Sequence, residues 1–506
     1  MSKNYKIHPL SLAVALSIAS APMSYAFAEE AKKNSTPEIE VIEVTGFKGS
    51  LLRSLNNKRL TDAVSDSIFA EDIGKSADQD IGEALQRVTG VSIQRGQGQG
   101  ETEGTTVTVR GAGPNLNNIM LNGISLTSNT ESQAVDLSAF SSDILNSIEI
   151  MKTSAADQDE GSLGANVELR TFRPLDALKN KRVLEVQGRY DNYAKENDYK
   201  ISGSFSEKFL DDTLGFYVTA FKETDSSRRD MFLTQDLGKF KATNAIDSVT
   251  GEQTGPITGY IHGQNGFKLF RNTMEREGFT ASLQWMIGDV TELNFNTTMS
   301  NQYRETDDDS IISIGSQEPY LPEDLPKILD PTNPWLVYNA ESQAFIKKVD
   351  RLARGRTTSE ESGIETKNKV LNLELSHEFT DDFSMKIRTG YSKTTADDDY
   401  FSRINTNNYL HVTDELLKSV DANLIQPTGY DCTSGQCYII TGTSEINFGP
   451  DIGGVPQTGV STEPNNDNTI LTAYNPDDLA AIHLQQAYTR DRSMDDKQKS
   501  VYVDFD

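Results

Sequence analysis

From Val183 onward the chain alternates apolar and polar residues with a period of two. Tyr199, Ile201 and Phe205 alternate with Lys200, Ser202, Ser204 and Ser206, and Phe216, Val218 and Ala220 with Gly215, Tyr217 and Thr219. Further on, Phe279, Ala281, Leu283, Trp285 and Ile287 share one face, and Leu293, Phe295 and Met299 alternate with Asn294, Asn296, Thr298 and Ser300. The same reading applies to Leu371, Leu373 and Leu375, to Phe383, Met385 and Ile387, and to Val501, Val503 and Phe505. A two-residue period with one apolar face predicts half-buried antiparallel strands. Eight can be marked before Asp506.

A soluble β-sandwich gives the same alternation, so the connections decide. Residues 210–213, 288–291 and 380–382 are tight, Asp-rich joins, whereas the spacers 224–276, 304–365 and 394–498 are long. The short joins all fall on one side of the sheet. Such asymmetry is built into an outer-membrane barrel, with short inner turns and large outer loops, and is unusual in a compact soluble domain. The expected fold is therefore a membrane β-barrel over residues 175–506. A closed barrel of eight strands is just wide enough for its own side chains, so further strands are expected to complete it.

The first residues fit export. Lys3, Lys6 and His8 precede the apolar run Leu10–Ala19, and Ala26-Phe27-Ala28 precedes Glu29. This is the layout of a signal peptide over 1–28, with cleavage fitting after Ala26 or Ala28. The apolar run is too short to span about 30 Å of hydrocarbon as a helix. Acidic residues number 75 against 48 basic, a formal charge of -27, which argues against nucleic acid as a partner. The two cysteines, Cys432 and Cys437, lie in one short loop of an exported chain and read as a local disulfide.

Between these regions, residues 48–174 read as a compact α/β domain: a short helix over 81–88 ended by Gly90, then short strands separated by Gly and Asn turns. Its pieces run in order: DIGEALQRVTGVSI at 80–93, VTVRG at 107–111, IMLNGI at 119–124, ILNSIEI at 144–150 and DEGSLGANVELRT at 159–171. This series, behind a signal peptide and ahead of barrel-like strands, resembles the plug domain of TonB-dependent outer-membrane receptors. The resemblance runs from the alternating segment at 38–46 to Pro174. It implies a transporter of the Gram-negative cell outer membrane, whose plug blocks a 22-stranded barrel and is pulled by the energy-transducing protein TonB.

On that resemblance Ile39, Glu40, Val41, Ile42, Glu43, Val44 and Thr45, within the periplasmic segment 29–47, would be the TonB box. An extended alternating segment near a free end can add as a strand to a partner's sheet edge; the plain alternative is a solvated linker. The family's plug is held by arginine–carboxylate pairs. Arg110 matches one such position, and Lys152 stands at the other, where lysine loses the bidentate fork. Only a short stretch separates the cleavage site from the TonB box, so transport without a separate periplasmic signalling domain is expected.

No cofactor is expected and no catalytic or metal-binding constellation stands out: Gly96–Gly100 lacks the lysine of a phosphate loop, the histidines lack metal spacing, and Asp307–Asp309 and Asp397–Asp399 read as solvated loop charge. The chain reads as a transporter rather than an enzyme. For the ligand, an acidic chain with loop aromatics beside Asn and Asp points to an oligosaccharide, with Trp335, Tyr338 and Tyr409 as candidate stacking residues. A ferric siderophore is the alternative within the same family, and a β-rich surface adhesin the alternative outside it.

Overall fold

The computed structural model describes residues 47–61, 63–69, 81–95, 104–129, 133–153, 162–177, 179–314, 324–350, 354–408, 428–440 and 483–505. The expected signal peptide (1–28), the expected TonB box (Ile39–Thr45) and Tyr409 lie outside them.

The first layer is the plug. It begins with helix α1 (Phe47–Leu60), which the sequence reading did not anticipate, followed by β1 (Ser65–Phe69) and the one-turn α2 (Ile81–Leu85). Gly90 has φ +76°, the left-handed geometry that lets the chain turn into the hairpin β2 (Val91–Arg95) and β3 (Thr105–Val109). Strands β4 (Asn118–Leu121), β5 (Ile124–Ser125), β6 (Ser147–Met151) and β7 (Asn166–Arg170) join β1 in a five-stranded sheet of order β1-β6-β7-β4-β5. Only β4 and β7 run parallel. Ile81, Leu85, Val109, Leu137, Ile148, Ile150 and Val167 fill the core.

The second layer is a wall of eight long strands: β8 (Arg182–Asp191), β9 (Glu196–Phe209), β10 (Leu214–Ala242), β13 (Ile257–Ile287), β14 (Thr291–Ile314), β17 (Arg354–Thr380), β18 (Phe383–Asn408) and β22 (Ser493–Phe505). Each pairs antiparallel with the next, and β8 and β22 do not pair with each other, so the sheet is open among the described residues. The turns after Phe209, Ile287 and Thr380 are the expected short ones.

The two faces of the wall differ in chemistry. Away from the plug, Phe279, Leu283, Trp285 and Ile287 are aligned with Leu293, Phe295, Leu373, Leu375, Ile387 and Val503 on their neighbours. Nine residues of β13, from Phe279 to Ile287, give this belt a height on the order of 20–25 Å at the usual strand rise and tilt. At its lower rim, Phe379, Phe383 and Phe505 stack in sequence with centroids 5.3 and 6.0 Å apart. Toward the plug the same strands present Thr219, Thr280, Ser282, Thr298, Asn368 and Ser392, all buried and polar.

The three long spacers are much shorter than the pattern suggested. β10 and β13 stay paired from Leu214↔Trp285 to Ala242↔Ile257, and β14 and β17 up to Ile314↔Arg354. Above the apolar belt polar and apolar residues mix on both faces, with Phe267 and Ile311 exposed and Phe270 and Met274 buried, so alternation disappears while backbone pairing continues. Asp307–Asp309 and Asp397–Asp399 accordingly stand on strands, with Lys268 paired to Asp308 and Arg490 Nε 3.1 Å from Asp398.

What remains of the loops folds into a module: β11 (Ala245–Asp247), β12 (Gln253–Thr254), α3 (Leu325–Ile328), β15 (Leu336–Asn339), β16 (Ala344–Asp350), β19 (Thr428–Asp431) and β20 (Tyr438–Ile440). Strand β21 (His483–Thr489) extends the wall beside β18. Phe240, Ile261, Ile328, Trp335, Leu336, Tyr338 and Phe345 form the module's own core. Cys432 and Cys437 are joined by a disulfide across the turn between β19 and β20.

Candidate functional site: the seat of the plug on the wall

The segment Asp136–Phe140 carries the centre of the interface. Asp136 caps a single 3-10 turn (Leu137–Ala139). Its Oδ1 accepts from the backbone N–H groups of Thr105 and Ser138, both at 2.9 Å, and from the Ser138 hydroxyl at 2.6 Å. The Ser138 Oγ in turn accepts from Gln302 Nε2 at 3.1 Å and Arg304 Nη2 at 2.9 Å, both on β14. That hydroxyl therefore uses its one proton toward the plug and both lone pairs toward the wall.

Arg276 on β13 closes the arrangement. It donates through Nη1 to the Ser138 carbonyl oxygen at 2.6 Å, and its Nε lies 3.2 Å from Glu223 Oε1 on β10. Arg304 Nη2 lies 3.6 Å from Asp136 Oδ2. Arg276, Glu223, Arg304 and Asp136 are each 5% exposed or less. A buried charge without a partner is costly. Here Arg304 pairs across the interface with plug Asp136, and the wall pair Arg276–Glu223 turns its remaining donor to the plug.

Five further contacts extend the seat. Lys200 on β9 pairs with plug Asp143 at 3.0 Å. Thr127 Oγ1 lies 3.1 Å from Ser392 Oγ and 2.8 Å from Thr394 Oγ1 on β18, and Ser128 N donates to Asp496 Oδ2 at 3.0 Å. Asn372 Nδ2 donates to the Asn122 carbonyl beside Gly123 (φ +77°), where a Cβ would stand 2.5 Å from Arg388 Nη1. The left-handed φ favours glycine here, and a side chain would have to push the Arg388 guanidinium aside.

Under this contact sits Glu168. Burial pushes its carboxyl up to about 7, although Arg170, the Gly123 N–H donating at 2.8 Å and Arg388 all pull the other way. Asp66 behaves oppositely: burial raises it, but hydrogen bonds and charge from Lys152 and Lys58 leave its carboxyl below the ordinary range.

The residues singled out in the sequence fall elsewhere. Lys152 pairs with Asp66 and donates to the Thr89 carbonyl at 2.6 Å, while Arg110 Nη1 donates to the Lys152 carbonyl at 2.9 Å. Both ends of this expected lock close within the plug. The buried plug–wall ion pairs, Arg304–Asp136 and Lys200–Asp143, put the basic group on the wall and the carboxylate on the plug; the more exposed Arg173–Glu292 pair runs the other way. Trp335 and Tyr338, expected to offer stacking faces, are 8% and 7% exposed and pack inside the loop module. Lys327 Nζ covers the Trp335 ring at 4.7 Å, and Phe345 meets Tyr338 edge-on at 5.3 Å. Their rings serve as core because the loops fold on themselves. Asp136 and Ser138 gave no sequence signal beyond a generic cap preceding a small turn.

The wall and the domain seated on it define the fold class of a small plug domain packed against an open wall of antiparallel membrane-type β-strands. Residues 57–166 match the family model described as the TonB-dependent Receptor Plug Domain. Residues 57–166 are thus a plug domain of the TonB-dependent receptor type. No curated protein sequence matches it. Among solved structures it is similar to the ferric enterobactin receptor of Pseudomonas aeruginosa, at 12% identity and a TM-score of 0.35, covering 73% of this chain and 58% of that one. It is also similar to a siderophore receptor of Acinetobacter baumannii, at 10% identity and TM-score 0.31, covering 76% and 75%. A third is the ferric yersiniabactin uptake receptor of Yersinia pestis, at 12% identity and TM-score 0.28, covering 69% and 64%. The chain spans 55% and 58% of the lengths of the two ferric enterobactin receptor structures it matches.

Proposed function

We propose that the protein imports a scarce polar nutrient across the outer membrane of a Gram-negative bacterium, with work supplied through TonB and its inner-membrane energising complex. The observation that carries the reading is the chemistry of the plug's seat. Phe221 and Val370 of the wall do join the plug's apolar core, but the centre of the interface is held by ion pairs and hydroxyl bonds. Polar contacts exchange readily for water once a path opens, so a pull on the plug can release them and leave the wall intact. The apolar belt and its aromatic rim fit a wall set in hydrocarbon.

In this reading Ile39–Thr45 is the strand TonB grips. Arg110 and Lys152 tie the hairpin β2–β3 to β1, where tension arriving from the N-terminal side is passed into the plug sheet. No residue is assigned a catalytic role. The test is deletion of residues 38–46 from the full-length protein. Uptake should be lost while the heat-modifiable membrane form persists; unchanged uptake would remove the TonB-box assignment.

For the ligand, two of the three aromatics behind an oligosaccharide are core residues of the loop module. The wall above the plug carries Lys268, Arg356 and Arg403 on its plug-facing side beside Asp308 and Glu360. A charged wall favours an anionic chelate such as a ferric siderophore over a neutral glycan. Growth of a deletion strain under iron limitation and on single glycans separates the two: a defect only on a glycan restores the carbohydrate reading.

A further inference from the structure

We propose that Lys369, Lys393, Lys497 and Lys499, on the outer face of the wall, form a seat for the phosphate headgroups of outer-leaflet lipid. The proposal rests on reading the wall as membrane-spanning. Strand register places Lys369 opposite Lys393, and Lys393 opposite Lys497, so three like charges stand directly across three adjacent strands. Directly opposite side chains have Cβ atoms about 4.5–5.5 Å apart, and like charges so placed destabilise a sheet. An outside anion would relieve that repulsion.

Position argues which anion. On β17, Lys369 is the next outward residue above Leu375, Leu373 and Leu371; on β18, Lys393 follows Ile387, Thr389 and Tyr391; on β22, Lys499 and Lys497 follow Phe505, Val503 and Val501. The lysines thus begin where the apolar belt stops. Higher up, past Lys367 on β17 and Thr395 on β18, the outer face turns acidic, with Glu365 (paired to Lys367), Asp397 and Asp495. Oil, then positive, then negative is the order that meets a bilayer whose phosphates lie just outside its hydrocarbon. Lysine stems can lie along the belt and lift their ammonium groups to that level.

Local carboxylates do not neutralise the row. Lys393 pairs with the exposed Asp495 at 2.7 Å. Lys369, Lys497 and Lys499 have no carboxylate partner among the described residues. In a chain of net charge -27, four lysines gathered on one patch are not a product of composition. The phosphate source is the membrane, because the same patch continues downward into the belt that would hold acyl chains.

The test uses the full-length protein and two vesicle compositions, bisphosphorylated lipid A and phosphatidylcholine. Wild type should bind the first tightly and the second weakly. K369Q/K393Q/K497Q should lose roughly a hundredfold in affinity for lipid A, about fivefold per lysine, and K369R/K393R/K497R should keep it. Should the triple glutamine variant fail to fold, K369Q alone carries the test through its fivefold loss. Equal lipid A affinity for wild type and the glutamine variants, in protein that still inserts, overturns the lipid seat and leaves the import reading standing. Wild type without a heat-modifiable membrane form overturns both.

Discussion

Arg276, 2% exposed on β13, gives its Nη1 proton to the carbonyl oxygen of plug Ser138 at 2.6 Å. The acceptor is a backbone atom, so no side-chain change in the plug removes it. Truncating the arginine leaves that carbonyl and Glu223 buried without their donor. Arg276→Met should therefore weaken plug seating by about 3–5 kcal/mol. Sensitivity to a large antibiotic normally excluded by the plug measures this: it should rise in the variant while membrane insertion stays unchanged.

The Glu168 carboxyl supplies a pH dependence. Its folded value lies near 7 against an ordinary 4.5, so the fold favours the protonated acid. The resulting stability is complete below about pH 4.5, falls as pH rises toward 7 and is level above. The change is on the order of 3 kcal/mol at 1.36 kcal/mol per pKa unit. Glu168→Gln still accepts from the Gly123 N–H and cannot ionise. Hydrogen exchange of the plug strands at pH 5 and pH 8 should differ in wild type and be nearly equal in the variant.

Trp335 should behave as a core residue rather than a ligand contact. Trp335→Ala removes a ring packed with Leu336 and Phe345 and should cost the loop module about 3–5 kcal/mol. Faster proteolysis within 324–350, with ligand affinity at the wall preserved in the uncleaved protein, is the expected outcome. Loss of affinity without loss of protease resistance would return Trp335 to the binding site.

The wall was legible because the environment imposes its own period. Wherever a strand passes the apolar belt, as at Phe279–Ile287, the polar partner on the other face makes alternation visible. The same strands vanish from the pattern above Lys222 and Glu277, where polar and apolar residues mix on both faces. The plug was legible from ordered turn motifs, but the hub at Asp136 and Ser138 was not. A capping aspartate looks alike whether or not two arginines from residues 276 and 304 close over it, and that depends on contacts far along the chain. Arg110 stood out because its VRG motif matches the resembled family's plug, and the structure places it at φ +52°. Yet its side chain bonds within the plug.

The most direct test of the account is to fix the plug to its wall. Thr127 and Ser392 are short, buried side chains 3.1 Å apart across the interface, and the native cysteines are already paired. Thr127→Cys with Ser392→Cys in the full-length protein should form a disulfide between plug and wall. The account predicts that the oxidised protein binds ligand but does not import it, and that a reductant restores uptake. Equal uptake in the oxidised and reduced forms would contradict a plug that must move.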